Sequence, residues 1–116
     1  MLRWLQLLIR GPFVQTGHPS YPPHPANVPG QFYVEQNCCI TCGVPEDIAP
    51  DLFGWVEGES HCYVKKQPET PAEFDQMREA MCSSEADCIR ARFCNEAFLA
   101  ELARVRHVHL VDTPDR

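Results

Sequence analysis

The stretch that decides the fold lies at residues 39–45 and reads Cys-Ile-Thr-Cys-Gly-Val-Pro, with Pro50 and Phe53 following it. Two thiolates separated by two residues can bind one metal site, because the intervening turn brings both sulfurs to the same side. The same turn frees backbone N–H groups to hydrogen-bond those sulfurs. A Cys-x-x-Cys pair alone is a weak signal, but the residues around Cys39 and Cys42 make it more specific.

These residues resemble the ligand loop of the bacterial ferredoxins that carry a single 4Fe-4S cluster. The family loop reads Cys-Ile-x-Cys-Gly-x-Cys, then four residues, then Pro-x-x-Phe, and this chain keeps that frame through Phe53. Pro45 stands where the family has its third cysteine, and proline offers neither a thiolate nor an N–H group. The resemblance covers residues 31–94 and leaves the third ligand position without a cysteine.

The fourth family ligand follows the second helix and precedes a strand that resembles Ala-Ile-Arg. Alignment of that strand on Ile89 and Arg90 places Ser84 at the ligand position. Cys82 lies two residues before Ser84, and Cys88 lies four residues after it. The resemblance therefore makes these two thiols the nearest candidates to complete the site.

The expected cofactor ligands are four cysteines. Cys39 and Cys42 occupy family positions, and Cys82 and Cys88 are expected to complete the set. Cys62, on a predicted strand, is either a further metal ligand or a buried small hydrophobic residue. The resemblance implies an iron–sulfur cluster of the 4Fe-4S kind as the cofactor.

Two other metal chemistries stay open at this point. His61 precedes Cys62, and an imidazole can replace a thiolate in centres that mix nitrogen and sulfur ligands. Four ligands drawn from this set also suit tetrahedral zinc. Loss of the cluster is the third alternative, because Pro45 and Ser84 both fall on ligand positions.

The resemblance implies an α+β, ferredoxin-like fold with short antiparallel strands and two main helices, followed by a C-terminal helical extension. It implies a soluble electron carrier with a redox partner protein. The alternatives are a cluster-free interaction module of the same fold and a structural zinc domain. No motif for catalysis by the protein itself is present, since the sequence has no Gly-rich phosphate loop and no nucleophile elbow. We therefore expect no enzyme.

The composition of the chain limits which kinds of partner and which cellular compartment the sequence predicts. The chain has 116 residues and a formal net charge of −6, which argues against nucleic acid because a phosphate backbone requires a basic face. Acidic residues such as Glu46, Asp47 and Asp51 could orient a basic partner. Seven cysteines is an odd number, and no export signal is recognisable, so we expect reduced thiols or metal ligands in a cytoplasmic protein rather than a complete disulfide framework.

The remaining sequence predicts how the chain is organised. The apolar run within residues 1–10 is too short to span a bilayer, so no membrane partner is expected. Residues 1–30 are predicted to be a proline-rich, disordered tail, with an extended and unpacked segment at 18–29. Residues 31–94 form the predicted ferredoxin-like domain.

Residues 95–116 are predicted to add a helix and a strand. Helices are expected over 46–53, from Thr70 and from Asn95, and strands near 32–34, 61–64, 88–93 and 107–111.

Overall fold

The structure is a computed structural model that describes residues 17–19, 21–38, 43–84 and 87–112. The expected ligands Cys39 and Cys42 lie outside the described residues. The elements, in chain order, are β1 Phe32–Val34, α1 Val44–Ile48, β2 Phe53–Trp55, β3 Cys62–Val64, α2 Pro71–Ser83, β4 Ile89–Ala91, α3 Glu96–Arg104 and a 3-10 helix Val108–Leu110.

The strands form two antiparallel pairs. β1 pairs with β4 so that Val34 lies opposite Ile89, and β2 pairs with β3 so that Phe53 lies opposite Val64. Helix α2 packs across this layer, and its Met77 is fully buried. This arrangement confirms the predicted α+β class with short antiparallel strands and a C-terminal helix.

Two side-chain amides join the two strand pairs. The Oδ1 atom of Asn27 accepts hydrogen bonds from the backbone N–H groups of Val34 at 3.2 Å and Val64 at 3.0 Å. The Oε1 atom of Gln67 accepts from the N–H of Phe32 at 3.0 Å, while its Nε2 atom donates to the Phe32 carbonyl at 2.8 Å. The amides therefore satisfy backbone groups of β1 and β3 that no strand partner reaches.

The expectation that residues 18–29 stay unpacked is wrong for the described part from residue 21 onward. His24 is 7% exposed, and its N–H donates to the carbonyl of Val34 at 3.0 Å. The carbonyl of Pro22 accepts from the N–H of Gln36 at 2.8 Å. A proline lacks a donor but keeps its acceptor, so a proline-rich segment can still pair with a strand edge. The division of the chain at residue 30 stays a prediction.

Helix α2 begins as predicted. The Oγ1 atom of Thr70 accepts from the N–H of Glu73 at 3.1 Å, and Oε1 of Glu73 accepts from the N–H of Glu69 at 2.8 Å. These bonds satisfy backbone donors at the start of the helix that have no partner within it.

Two predicted elements differ in the structure. The helix expected over 46–53 is shorter and earlier, because α1 ends at Ile48 and the chain then turns into β2. The strand predicted over 107–111 is wrong, since residues 108–110 form a 3-10 helix. Arg106 has a φ of 66°, so the chain reverses after α3 and leaves no extended run for a strand.

Candidate metal centre

The structure defines the backbone on both sides of the Cys39–Cys42 segment. On the N-terminal side, the N–H of Glu35 donates to the carbonyl of Cys88 at 2.9 Å. On the C-terminal side, Gly43 has a φ of 79° and precedes α1, which packs against α2. Glycine adopts this left-handed conformation without the steric cost that other residues meet. In the chain, the segment with the two family ligands thus lies between a residue bonded to the chain just before β4 and the start of α1.

Cys38 and Cys88 form a disulfide, with their Cα atoms 5.6 Å apart. The sequence predicted reduced thiols or metal ligands, and that prediction is wrong for this pair in this structure. The reason is the pairing of β1 with β4, which brings the residues after Val34 beside the residue before Ile89. No sequence signal indicated this bond, because the two cysteines are 50 residues apart. A cysteine in a disulfide has no thiolate to offer to iron.

His61 is engaged through both ring nitrogens. Its Nε2 atom accepts from the N–H of Asn37 at 3.1 Å, and its Nδ1 atom lies 2.7 Å from the carbonyl of Cys62. A carbonyl only accepts, so Nδ1 carries the proton and Nε2 presents its lone pair to Asn37. The ring therefore holds the chain just before the ligand segment, where Asn37 has a φ of 63°. In this arrangement His61 has no lone pair left for a metal.

The other predicted ligands lie in different surroundings. Cys62 is 3% exposed and belongs to the hydrophobic core, as its alternative assignment predicted. Cys82 is half-buried in the last turn of α2, and burial raises the pKa of its thiol. The hydroxyl of Ser84 donates to the carbonyl of Ala80 at 2.7 Å, so this side chain closes the end of α2.

Helix α1 contains Pro45, which stands at the third family ligand position, and Glu46, whose carboxylate is shielded from solvent. Pro45 is buried at the start of this helix. Both carboxylate oxygens of Glu46 are shielded from solvent and have no hydrogen-bond partner among the described residues. Asp47 and Asp51, by contrast, are exposed. The sequence prediction of Glu46 as a docking residue is therefore wrong in its assumption that the carboxylate reaches the surface.

The C-terminal histidines do not form a metal site with a third ligand. The rings of His107 and His109 have centroids 5.6 Å apart, and Nε2 of His109 lies 2.9 Å from Oδ2 of Asp87. Nδ1 of His107 lies 2.9 Å from the Val105 carbonyl. Within the described ranges, no three His, Cys, Asp or Glu side chains are placed to hold a metal ion.

The fold and the sequence define a small α+β domain in which a cysteine-rich segment lies between the first strand and the first helix in the chain. The 4Fe-4S single cluster domain of ferredoxin I matches residues 34–91, and the chain belongs to this family. A curated ferredoxin of Moorella thermoacetica is 43% identical over 56 residues, which are 46% of this chain and 87% of the relative. No solved structure matches.

Membership of this family gives the protein its function and cofactor. It is a ferredoxin-type iron–sulfur protein, and the family acts in electron transfer and not in enzymatic catalysis. The 4Fe-4S domain implies a 4Fe-4S cofactor and redox partners. None of the described helices is long and apolar enough to cross a membrane.

The residues present fit such a cofactor in their chemistry. Thiolates are the ligands that iron–sulfur clusters use, and the sequence contains Cys39, Cys42 and Cys82 as candidates for this role. Gly43 follows the second thiol, and a Cβ atom built there would meet nothing within 4 Å, so the backbone leaves open space beside the loop. Glu46 adds a carboxyl group that is shielded from solvent and has no hydrogen-bond partner among the described residues.

Proposed function

We propose that this protein is a one-electron carrier with a degenerate ligand set, in which Pro45 replaces the third family cysteine. Cys39 and Cys42 are the primary ligands, and Cys82 is the third thiol. Cys88 joins them only when its bond to Cys38 is open. The observation that carries the proposal is the Cys-x-x-Cys segment in its family frame, within a match over residues 34–91.

The bound cluster would supply the capacity to accept and release one electron. The chain's own residues set the conditions for that exchange. The bond from Asn37 to His61 supports a fixed conformation at the entry to the ligand segment, and the disulfide at Cys38 adds to it only while that bond is oxidised. Cys62 and Val64 of β3 are buried in the core, so water is excluded around these side chains. Burial and ligand charge are the main means by which a protein tunes the reduction potential.

A redox partner with a basic face is part of this proposal. The formal net charge of −6 and exposed acids such as Asp51 support steering by opposite charge. Association should therefore weaken as salt is raised, because screening shortens the reach of these charges. A cytoplasmic location is also proposed, since thiols that bind iron must stay reduced.

Anaerobic reconstitution with iron and sulfide tests the proposal. We expect stoichiometric iron and acid-labile sulfide in the wild-type protein, together with a visible absorption that bleaches on reduction. Cys39→Ser and Cys42→Ser should abolish uptake, and Cys82→Ser should lower it, because each removes a thiolate. Cys94→Ser is the matched control and should leave the iron content unchanged. Wild-type protein without bound iron would contradict the proposal and favour a cluster-free module, and zinc uptake alone would favour the structural zinc domain.

Cys88 can bind iron only if a reductant opens its disulfide with Cys38, so its contribution is tested with and without that bond. Cys88→Ser, which cannot form the disulfide, should bind as much iron as wild-type protein reconstituted with the disulfide intact. A loss of iron in Cys88→Ser larger than that in Cys82→Ser would show that Cys88 and not Cys82 is the principal third thiol.

A further inference from the structure

We propose that Glu46 supplies the ligand that Pro45 cannot, by binding through a carboxylate oxygen the iron that is left without a cysteine. This inference rests on the proposed function, because it assigns the fourth ligand of the same cluster. It names an oxygen ligand in place of a thiolate, at a position one residue after the family's third cysteine.

The burial of the Glu46 carboxylate carries the proposal. Both of its oxygens are shielded from solvent, and neither has a hydrogen-bond partner among the described residues. Burial removes the hydration of a carboxylate, which then either takes up a proton or binds a cation, a metal or several donors in place of the water. The adjacent Asp47 avoids this cost because it lies at the surface. Among the described residues, none provides Glu46 with such a partner.

The position of Glu46 in the chain indicates which partner this is. It lies four residues after Cys42 and directly follows Pro45, within α1. The backbone of this helix is fixed by bonds from the N–H of Asp47 to the carbonyl of Gly43 at 3.1 Å and from the N–H of Ala49 to the carbonyl of Pro45 at 2.9 Å. A glutamate side chain is longer than that of cysteine, which offsets the shift by one residue.

The charge of the carboxylate and the bonds already made by the other candidate ligands support the same assignment. A carboxylate carries the charge of the missing thiolate, so the total charge of the ligand set is preserved, and net charge is a principal determinant of cluster potential. Iron accepts oxygen as well as sulfur ligands. On binding, an iron–oxygen bond forms and a water or hydroxide leaves. Ser84 is engaged with Ala80, and Cys88 is bonded to Cys38, so neither competes in this structure.

The experiment compares Glu46→Gln with Asp47→Asn after anaerobic reconstitution. Each variant replaces a carboxylate with its neutral isostere at neighbouring positions of one helix. Glu46→Gln should lose about one iron per cluster while retaining sulfide, and its electron paramagnetic resonance spectrum should become that of a three-iron centre. Asp47→Asn should keep the wild-type iron content and spectrum. Adding Pro45→Cys to Glu46→Gln should restore the lost iron, because it restores the family ligand.

The outcomes separate the two proposals. Wild-type protein that takes up no cluster overturns both the proposed function and the role of Glu46. Wild-type protein that is loaded, with Glu46→Gln unchanged in iron content and spectrum, overturns only the role of Glu46. Should Glu46→Gln fail to fold, wild-type protein grown with ¹³C-labelled glutamate decides the matter. A ligating carboxylate gives a strong ¹³C coupling to the reduced cluster in electron–nuclear double resonance, and its absence refutes the assignment.

Discussion

At the scale of single residues, the thiols of this protein differ in chemistry although the sequence presents them alike. Cys38 and Cys88 are bonded to each other, and Cys62 lies in the core. Burial raises the pKa of the Cys82 thiol, and a thiolate bound to iron must overcome that cost. Burial raises the pKa of Cys94 to about 11, although a hydrogen bond with Gln31 opposes the shift. Reactivity therefore follows the environment and not the residue type.

Cys94 should react slowly with iodoacetamide in the folded protein. A pKa raised from 9.0 to about 11 leaves about 100-fold less thiolate at pH 8 than an unperturbed thiol has. Peptide mass spectrometry after timed labelling measures the rate, with urea-unfolded protein as the control. Equal rates in folded and unfolded protein would contradict the prediction.

The same shift in pKa gives a sign for the pH dependence of stability. Between pH 9.0 and about 11 the folded protein retains the Cys94 proton that the unfolded chain releases. The folded state therefore binds more protons, and stability should fall as the pH rises through this window. The fall should be smaller in Cys94→Ala, as measured by urea unfolding at each pH.

At the scale of secondary-structure elements, α2 is the helix whose start the sequence predicts in most detail. Thr70 caps it, Glu73 reaches back to Glu69, and Lys66 donates to both Oε atoms of Glu73 at 2.9 Å. These bonds fix the start of the helix, and its end carries the proposed ligand Cys82. The stability of α2 therefore bears on the position of the ligand.

Replacing Thr70 with alanine should destabilise the domain by about 1 kcal/mol, because the N–H of Glu73 loses its acceptor. For a domain of this size, that loss should lower the melting temperature by about 4–8 °C. Thr70→Ser keeps the hydroxyl and should stay close to wild type. A Thr70→Ala protein that melts with wild type would show that the cap contributes little here.

At the scale of the whole molecule, residues 21–30 belong to the packed structure. Asn27 connects β1 to β3 through its side chain, and the N–H of Val28 donates to the carbonyl of Val64 at 2.9 Å. Gln67 makes the second such connection, through its bonds to the backbone of Phe32. A segment that the sequence marked as a linker thus completes the backbone hydrogen bonding of the domain.

Asn27→Ala should destabilise the protein by about 2–4 kcal/mol, because the N–H groups of Val34 and Val64 each lose an acceptor. A chain that begins at Val28 should lose at least as much. A chain that begins at Gly17 is the control. It removes only the first part of the predicted tail of residues 1–30 and should unfold at the wild-type urea concentration. A truncation at Val28 with full stability would restore the linker interpretation.

The sequence by itself determined the family frame, the fold class and the elements that depend on local chemistry. The Cys-x-x-Cys frame, the capped start of α2 at Thr70 and the amphipathic α3 capped at Asn95 are all encoded within a few residues. Nearby residues decide the two helix starts through backbone geometry and hydrogen bonds, so these can be predicted from local residue types and spacing, whereas the ligand frame and the fold class follow from the family resemblance. The ligand positions Cys39 and Cys42 stay a sequence prediction.

Only the tertiary structure decided the features that join distant segments. The disulfide of Cys38 with Cys88, the buried Arg90 that pairs with Asp112 at 2.8 Å, and the shielded carboxylate of Glu46 have no local signature. Each of these features depends on which strand or helix packs beside it. That packing is determined by loop closure and burial in the folded chain. The type of a residue limits the reactions and bonds it can form, and its packed environment determines which of them it forms.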